Sequence, residues 1–106
     1  MTFGTRHQQM AQLLVKLTQE LQLLSLWQRE PPSPQALASR EPFCVDTLTL
    51  PQWLQFIFIP KMGALIQAEQ PLPVTIGIAP LAEQTYQHEL AAKQTLIELL
   101  RAIDDC

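Results

Sequence analysis

Met10, Leu13, Leu14, Leu17, Leu21, Leu24 and Trp27 recur at steps of three and four residues, the spacing that lines up one face of an α-helix. Val15, Leu23 and Leu26 widen the stripe, and Lys16, Glu20 and several glutamines take the opposite side. The pattern predicts a helix over 5–27, with Thr5 as N-cap and Gln8 as its capping-box partner. Prolines at 31, 32 and 34 then stop it, because each lacks an amide hydrogen and turns its predecessor away from the α region. Ser33 followed by Pro34 fits the start of one short turn, PQALAS.

The most apolar stretch is WLQFIFIPKM, Trp53 to Met62, in which six of the first seven residues are apolar. It is far too short to cross a membrane, which takes about 20 apolar residues. It also belongs to a segment from 50 to about 69, too long for a strand of the usual five or six residues. Thr49 with Gln52 reads as a capping box, and Pro51 suits the first helical turn. A second long helix is therefore expected here. Pro60 falls inside it and leaves the carbonyl of Phe56 without its α-helical partner, so a kink is expected near 56–60, eased by Gly63. Apolar nearly all round, this helix is expected to be mostly covered. One aromatic flank, Trp53 with Phe56 or Phe58, is either core or an exposed interaction surface.

PLPVTIGIAP alternates Val74, Ile76 and Ile78 with Thr and Gly, a strand pattern with no second strand to pair with. An extended strap crossing the bundle is the expectation. From Pro80 to about Ile103 a helical pattern returns, carried by Leu81, Tyr86, Leu90, Ile97, Leu100 and Ile103, with Glu83 near its positive end. The predicted fold is all-α: one domain over 1–106, a compact bundle of three long helices with a short helix or turn in the first crossover and a proline-bracketed strap before the last helix.

Composition narrows the function classes. Of 106 residues, 47% are hydrophobic and only 16% charged, against about 25% charged in an average domain. The charge deficit points to a surface finished with neutral polar residues or covered by a partner. A net charge of −3 and seven scattered basic residues form no cationic stripe, so direct nucleic-acid binding is not expected. Cys44 and Cys106 are too few for a disulfide framework and match no metal-ligand spacing. The first residues lack the layout of a signal peptide, and a cytoplasmic, non-membrane protein is expected.

Catalytic motifs are sparse. The three glycines stand alone at 4, 63 and 77, so there is no phosphate loop. His88 and Glu89 are adjacent and diverge on a helix, and His7, near a chain end, is expected to be solvated. Asp46 with Thr47 reads as a turn or cap, since both side chains readily bond nearby amides. Cys44, between Phe43 and Val45, reads as a small buried apolar residue. No catalytic residue, metal or cofactor is predicted.

PFCVDTLTLPQWLQFIFIPKM at 42–62, LP at 72–73 and IAPLAE at 78–83 together resemble the YqcC-like family of small bacterial proteins. The resemblance spans nearly the whole chain, and Phe43, Asp46, Thr47, Trp53, Leu54, Pro60, Met62, Pro73 and Pro80 belong to the shared pattern. It implies a helical bundle of about a hundred residues in a bacterial cytoplasm and carries no assigned activity. It also implies a neighbour, because genes of the family often adjoin one for a tRNA pseudouridine synthase. Two expectations follow. The first is a non-enzymatic interaction or adaptor protein, accessory to tRNA modification or self-associating as a homodimer, using Trp53, Phe56, Phe58 and Lys61 as its surface. The alternative is a ligand-binding or weakly catalytic domain with a pocket near Asp46, Thr47, Lys61 and the 71–80 strap.

Overall fold

The structure is a computed structural model, described over residues 2–73 and 76–106. Every regular element in the described residues is helical, as the sequence predicts. Helix α1 (Thr2–Leu23) is followed by the one-turn α2 (Pro34–Leu37) and a 3₁₀ turn (Pro42–Cys44). Helix α3 (Leu50–Trp53) then runs through a π-helical turn (Leu54–Phe58) directly into α4 (Ile59–Gln67). Helices α5 (Ile78–Thr85) and α6 (Gln94–Asp105) complete the chain.

The apolar stripe of α1 is the core face: Met10, Leu14, Leu17 and Leu21 are buried, with Leu13 and Leu24 packed beside them. They meet Leu54, Phe58 and Met62, then Ile78, Ala79 and Ala82 of α5, and Leu96, Ile97, Leu100 and Ile103 of α6, in one cluster. Each aliphatic side chain withdrawn from water contributes about 1.5–3 kcal/mol, and that burial is what holds the helices together.

Helix α1 differs from the prediction at both ends. It begins at Thr2, so Thr5 lies inside it and is no cap, and it stops at Leu23 rather than at 27. The stop is a Schellman turn: the Leu26 amide donates to Leu21 O at 2.8 Å and the Ser25 amide to Gln22 O at 3.1 Å. Ser25 takes the left-handed conformation, φ 60°, that glycine usually supplies. Helix α4 ends the same way, with Glu69 at φ 54° and the Gln70 amide donating to Leu65 O at 2.8 Å.

The third long helix is a correction. In place of one helix over 80–103, α5 and α6 form a hairpin whose connection, 86–93, contains neither proline nor glycine. Antiparallel packing explains the break. The Asp104 carboxylate, near the end of α6, accepts the amides of Ile78 and Ala79 at 2.8 and 2.7 Å and so caps the start of α5. Arg101 pairs with Glu83 one turn further along. A continuous helix could not bring residues 78 and 104 together. Leu90, expected on the apolar face, sits in the connection and is 49% exposed.

The strap forms neither helix nor strand over 71–73 and 76–77, and Val74 and Thr75 lie outside the described residues. Leu72 is buried and Ile76 packs against the core. Arg6 of α1 fastens the strap, donating to Leu72 O at 3.3 Å and Pro73 O at 2.6 Å, while its Nε donates to Cys106 O at 3.1 Å. His7, expected to be solvated, is instead buried, with its Nε2 2.7 Å from Gln70 O.

Candidate functional site

The Thr49–Gln52 capping box forms as the sequence predicts: Thr49 Oγ1 accepts the Gln52 amide at 3.3 Å and Gln52 Oε1 accepts the Thr49 amide at 2.8 Å. The helix it starts meets Pro60 ten residues later. A proline there removes one α-helical hydrogen bond, and the chain responds in the preceding turn, where the Ile59 amide donates to Leu54 O, five residues back. The expected distortion near 56–60 thus takes the form of a π turn. Gly63 stands in open space, with nothing within 4 Å of where a Cβ would be.

The π turn changes which side chains share a face. In an α-helix, residues five apart are rotated by roughly 140°. One additional residue in the turn moves the fifth residue to about where the fourth would be. Trp53 and Phe58 consequently stack, with centroids 5.4 Å apart and planes at 27°. Phe43 meets Trp53 edge-on at 4.9 Å and 73°. Phe43 and Cys44 reach this position through two successive left-handed residues, φ 57° and 49°, each costing about 1–2 kcal/mol for an L-residue. Packing offsets that strain: Cys44 is buried, and Phe43 packs against the core.

These rings, with Ile57, Met62, Pro73 and Ile76, wall a cleft of about 260 Å³ that Lys61 also lines. Three of the four predicted surface residues, Trp53, Phe58 and Lys61, line this cleft. Phe58 is buried, Trp53 and Phe56 are half-buried and Lys61 is exposed. Lys61 has no ion pair among the described residues, whereas Lys93 pairs with Glu89 and Arg101 with Glu83.

Asp46 and Thr47 are placed elsewhere. Asp46 accepts the Ser39 hydroxyl, and Thr47 donates to Ala36 O at 2.7 Å. Both side chains thus brace the 36–47 crossover, and neither lines the Lys61 cleft. The structure therefore joins Lys61 to the strap but does not join Asp46 to Lys61.

Gln55 is the functional-looking residue that sequence reasoning missed. It is buried, its Oε1 accepts the Gln28 amide at 2.8 Å, and its Nε2 donates to Gln28 O at 2.7 Å. Gln52 adds a contact to Gln28 Oε1 at 3.3 Å. A glutamine within an apolar run was the only local sign, and its partner is 27 residues away.

A second, larger groove of about 620 Å³ lies between the turn after α1, the start of α3 and the α5–α6 connection. Tyr86, Glu89, Thr49, Thr85 and Gln28 supply polar walls. Most are committed internally: Glu89 to Lys93, Thr85 to Leu81 O, Thr49 and Gln28 to the contacts above. The Lys93 ammonium also lies 5.2 Å from the Tyr86 ring centroid. Burial, and secondarily the Glu89 carboxylate, raise the Tyr86 hydroxyl above its ordinary pKa of 10.0. Among the described residues there is no cluster of three potential metal ligands, and no helix is long and apolar enough to cross a membrane.

An all-helical fold in the described residues defines the class, and comparison with known proteins supplies the family. Residues 9–106 match the family model DUF446, described as tRNA pseudouridine synthase C, and the chain belongs to that family. It is 39% identical over 97 residues to an uncharacterized protein of Haemophilus influenzae, covering 92% of this chain and 91% of that one. It is 31% identical over 78 residues to the uncharacterized protein YqcC of Escherichia coli, covering 74% and 72%. The solution NMR structure of the latter superposes with a TM-score of 0.84 at 29% identity, covering 95% of this chain and 86% of that one. A third relative, named tRNA pseudouridine synthase C in Pectobacterium carotovorum, is 39% identical over 69 residues, which are 65% of this chain and 18% of that one.

Proposed function

We propose that this protein is a non-enzymatic adaptor for a tRNA pseudouridine synthase and that it docks through the cleft formed by Trp53, Phe58 and Lys61, with Phe56 on its flank. The observation that carries the proposal is the Pectobacterium relative, in which a segment similar to this chain makes up 18% of a longer protein named tRNA pseudouridine synthase C. Joining two modules in one chain holds them at high effective concentration. Separate chains need a docking surface to the same end.

The cleft suits that role better than the larger groove does. Aromatic residues in a partly open pocket are the usual anchors of protein interfaces, and Lys61 has no ion pair among the described residues. The polar walls of the larger groove are mostly committed to internal partners. Its volume does fall within the range of small-molecule sites, and a ligand-binding domain is the second reading.

Size-exclusion chromatography of this protein mixed with the pseudouridine synthase of its source organism tests the adaptor reading. Co-elution as a stoichiometric complex is expected, with both proteins shifted to earlier volume. Two independent peaks at micromolar concentrations would remove the proposal and leave the ligand-binding reading.

A further inference from the structure

The chemistry of the cleft specifies the kind of segment that fills it. We infer that its occupant is a protein segment of the partner carrying a large apolar side chain next to a carboxylate, the apolar group entering between Trp53, Ile57 and Met62 and the carboxylate meeting Lys61. This rests on the adaptor reading and adds the identity of the contact.

Size is the first argument. Small-molecule pockets hold about 300–1,000 Å³, and the cleft, at about 260 Å³, is smaller. It suits one or two anchor side chains rather than a cofactor. Apolar walls come next: Phe43, Ile57, Phe58, Met62 and Pro73 present ring and aliphatic surface, and methionine adapts readily to different apolar shapes.

Charge selects the neighbour of the anchor. Lys61 is the one charged side chain among the described residues that line the cleft. A partner seated there removes water from its ammonium, which is unfavourable unless an anion replaces the lost hydration. Arg6, the cation nearest the strap, is already spent on three carbonyls. A single carboxylate beside the anchor satisfies Lys61.

Two other occupants fit less well. A nucleic acid needs several phosphate-neutralising cations, and here one lysine stands on a chain of net charge −3. A second copy would have to offer an exposed apolar residue beside a carboxylate. Among the exposed large apolar residues only Val45, next to Asp46, and Leu90, next to Glu89, have a carboxylate as direct sequence neighbour in the described residues. Both carboxylates are engaged, Asp46 by Ser39 and Glu89 by Lys93.

The test is a set of overlapping twelve-residue peptides tiling the pseudouridine synthase, measured by fluorescence anisotropy against the wild type and Lys61→Glu. Lys61 is exposed, so this variant is expected to fold, which circular dichroism checks. The expected binders carry Asp or Glu within two residues of Phe, Trp, Leu or Ile. They weaken about tenfold or more against Lys61→Glu, and exchanging their carboxylate for lysine restores binding to that variant. The inference is overturned if no peptide binds, if the binders lack the acidic–apolar pair, or if Lys61→Glu leaves affinity unchanged. It is also overturned if sedimentation shows a dimer of this chain that the peptides fail to dissociate. Intact synthase co-eluting equally with Lys61→Glu would defeat this inference alone, whereas no co-elution with the wild type would defeat the adaptor reading as well.

Discussion

Trp53 and Phe58 are five residues apart in one continuous helical segment, yet their rings stack with centroids 5.4 Å apart. The π turn between them makes this possible, and Pro60 supplies the reason for a π turn at that place. A sequence feature that reads as a helix defect thereby becomes the geometry of the cleft.

If the π turn accommodates Pro60, replacing it should change little. A proline in an ordinary helix interior costs about 3 kcal/mol relative to alanine. Pro60→Ala is expected to gain well under half of that in urea-induced unfolding. A gain near the full amount would mean that the π turn does not relieve the proline.

Gln55 is predicted to hold the loop after α1. Gln55→Leu keeps the apolar run but leaves the amide and carbonyl of Gln28 without their side-chain partners. Gln28 is exposed, so water can take up its freed groups and the cost is that of two lost hydrogen bonds, about 0.5–1.5 kcal/mol each. A loss of about 1–2 kcal/mol is expected. Hydrogen exchange should show the Gln28 amide exchanging much faster in the variant.

Tyr86 is the single tyrosine of the chain, so absorbance titration near 295 nm reads it alone. Its folded-state pKa is raised by burial and then by Glu89. The unfolded chain therefore releases the phenolic proton first, near pH 10.0. Stability contributed by the neutral hydroxyl is complete below that pH and falls as pH rises toward the folded value. Glu89→Gln should lower the titration midpoint without returning it to the free-tyrosine value, because burial is the larger cause.

Gly63 lies in α4 with open space around it. Gly63→Ala is expected to stabilise the protein by about 0.5–1 kcal/mol, since alanine reduces the freedom of the unfolded chain and fits a helix. A loss of stability would show that the helix needs glycine there, as its place after Pro60 first suggests.

Local chemistry made much of this fold legible. The Thr49–Gln52 box, the Ser33 cap and the central α1 stripe of Met10, Leu14, Leu17 and Leu21 depend on residues within one or two turns of each other and appear where the sequence places them, whereas Val15, Leu23 and Trp27, expected on the same face, are exposed. The helix stop at Ser25 escaped notice because it uses a non-glycine residue in the left-handed region. The break between α5 and α6 has no local breaker, and it is held by Asp104, 26 residues beyond Ile78. Of the candidate site, Trp53, Phe58 and Lys61 were readable as one cluster. Separating Asp46 from it required the path of the crossover, where Ser39 claims the carboxylate.

The most direct measurement places a benzophenone photo-crosslinking side chain at position 57, inside the cleft, and another at position 16 on α1 as a control. Irradiation in cells is followed by mass spectrometry of the adducts. Position 57 is expected to give an adduct that contains a pseudouridine synthase peptide with a carboxylate next to a large apolar residue, and position 16 to give none. Adducts with the synthase from position 16 and not from 57 would contradict docking at the cleft.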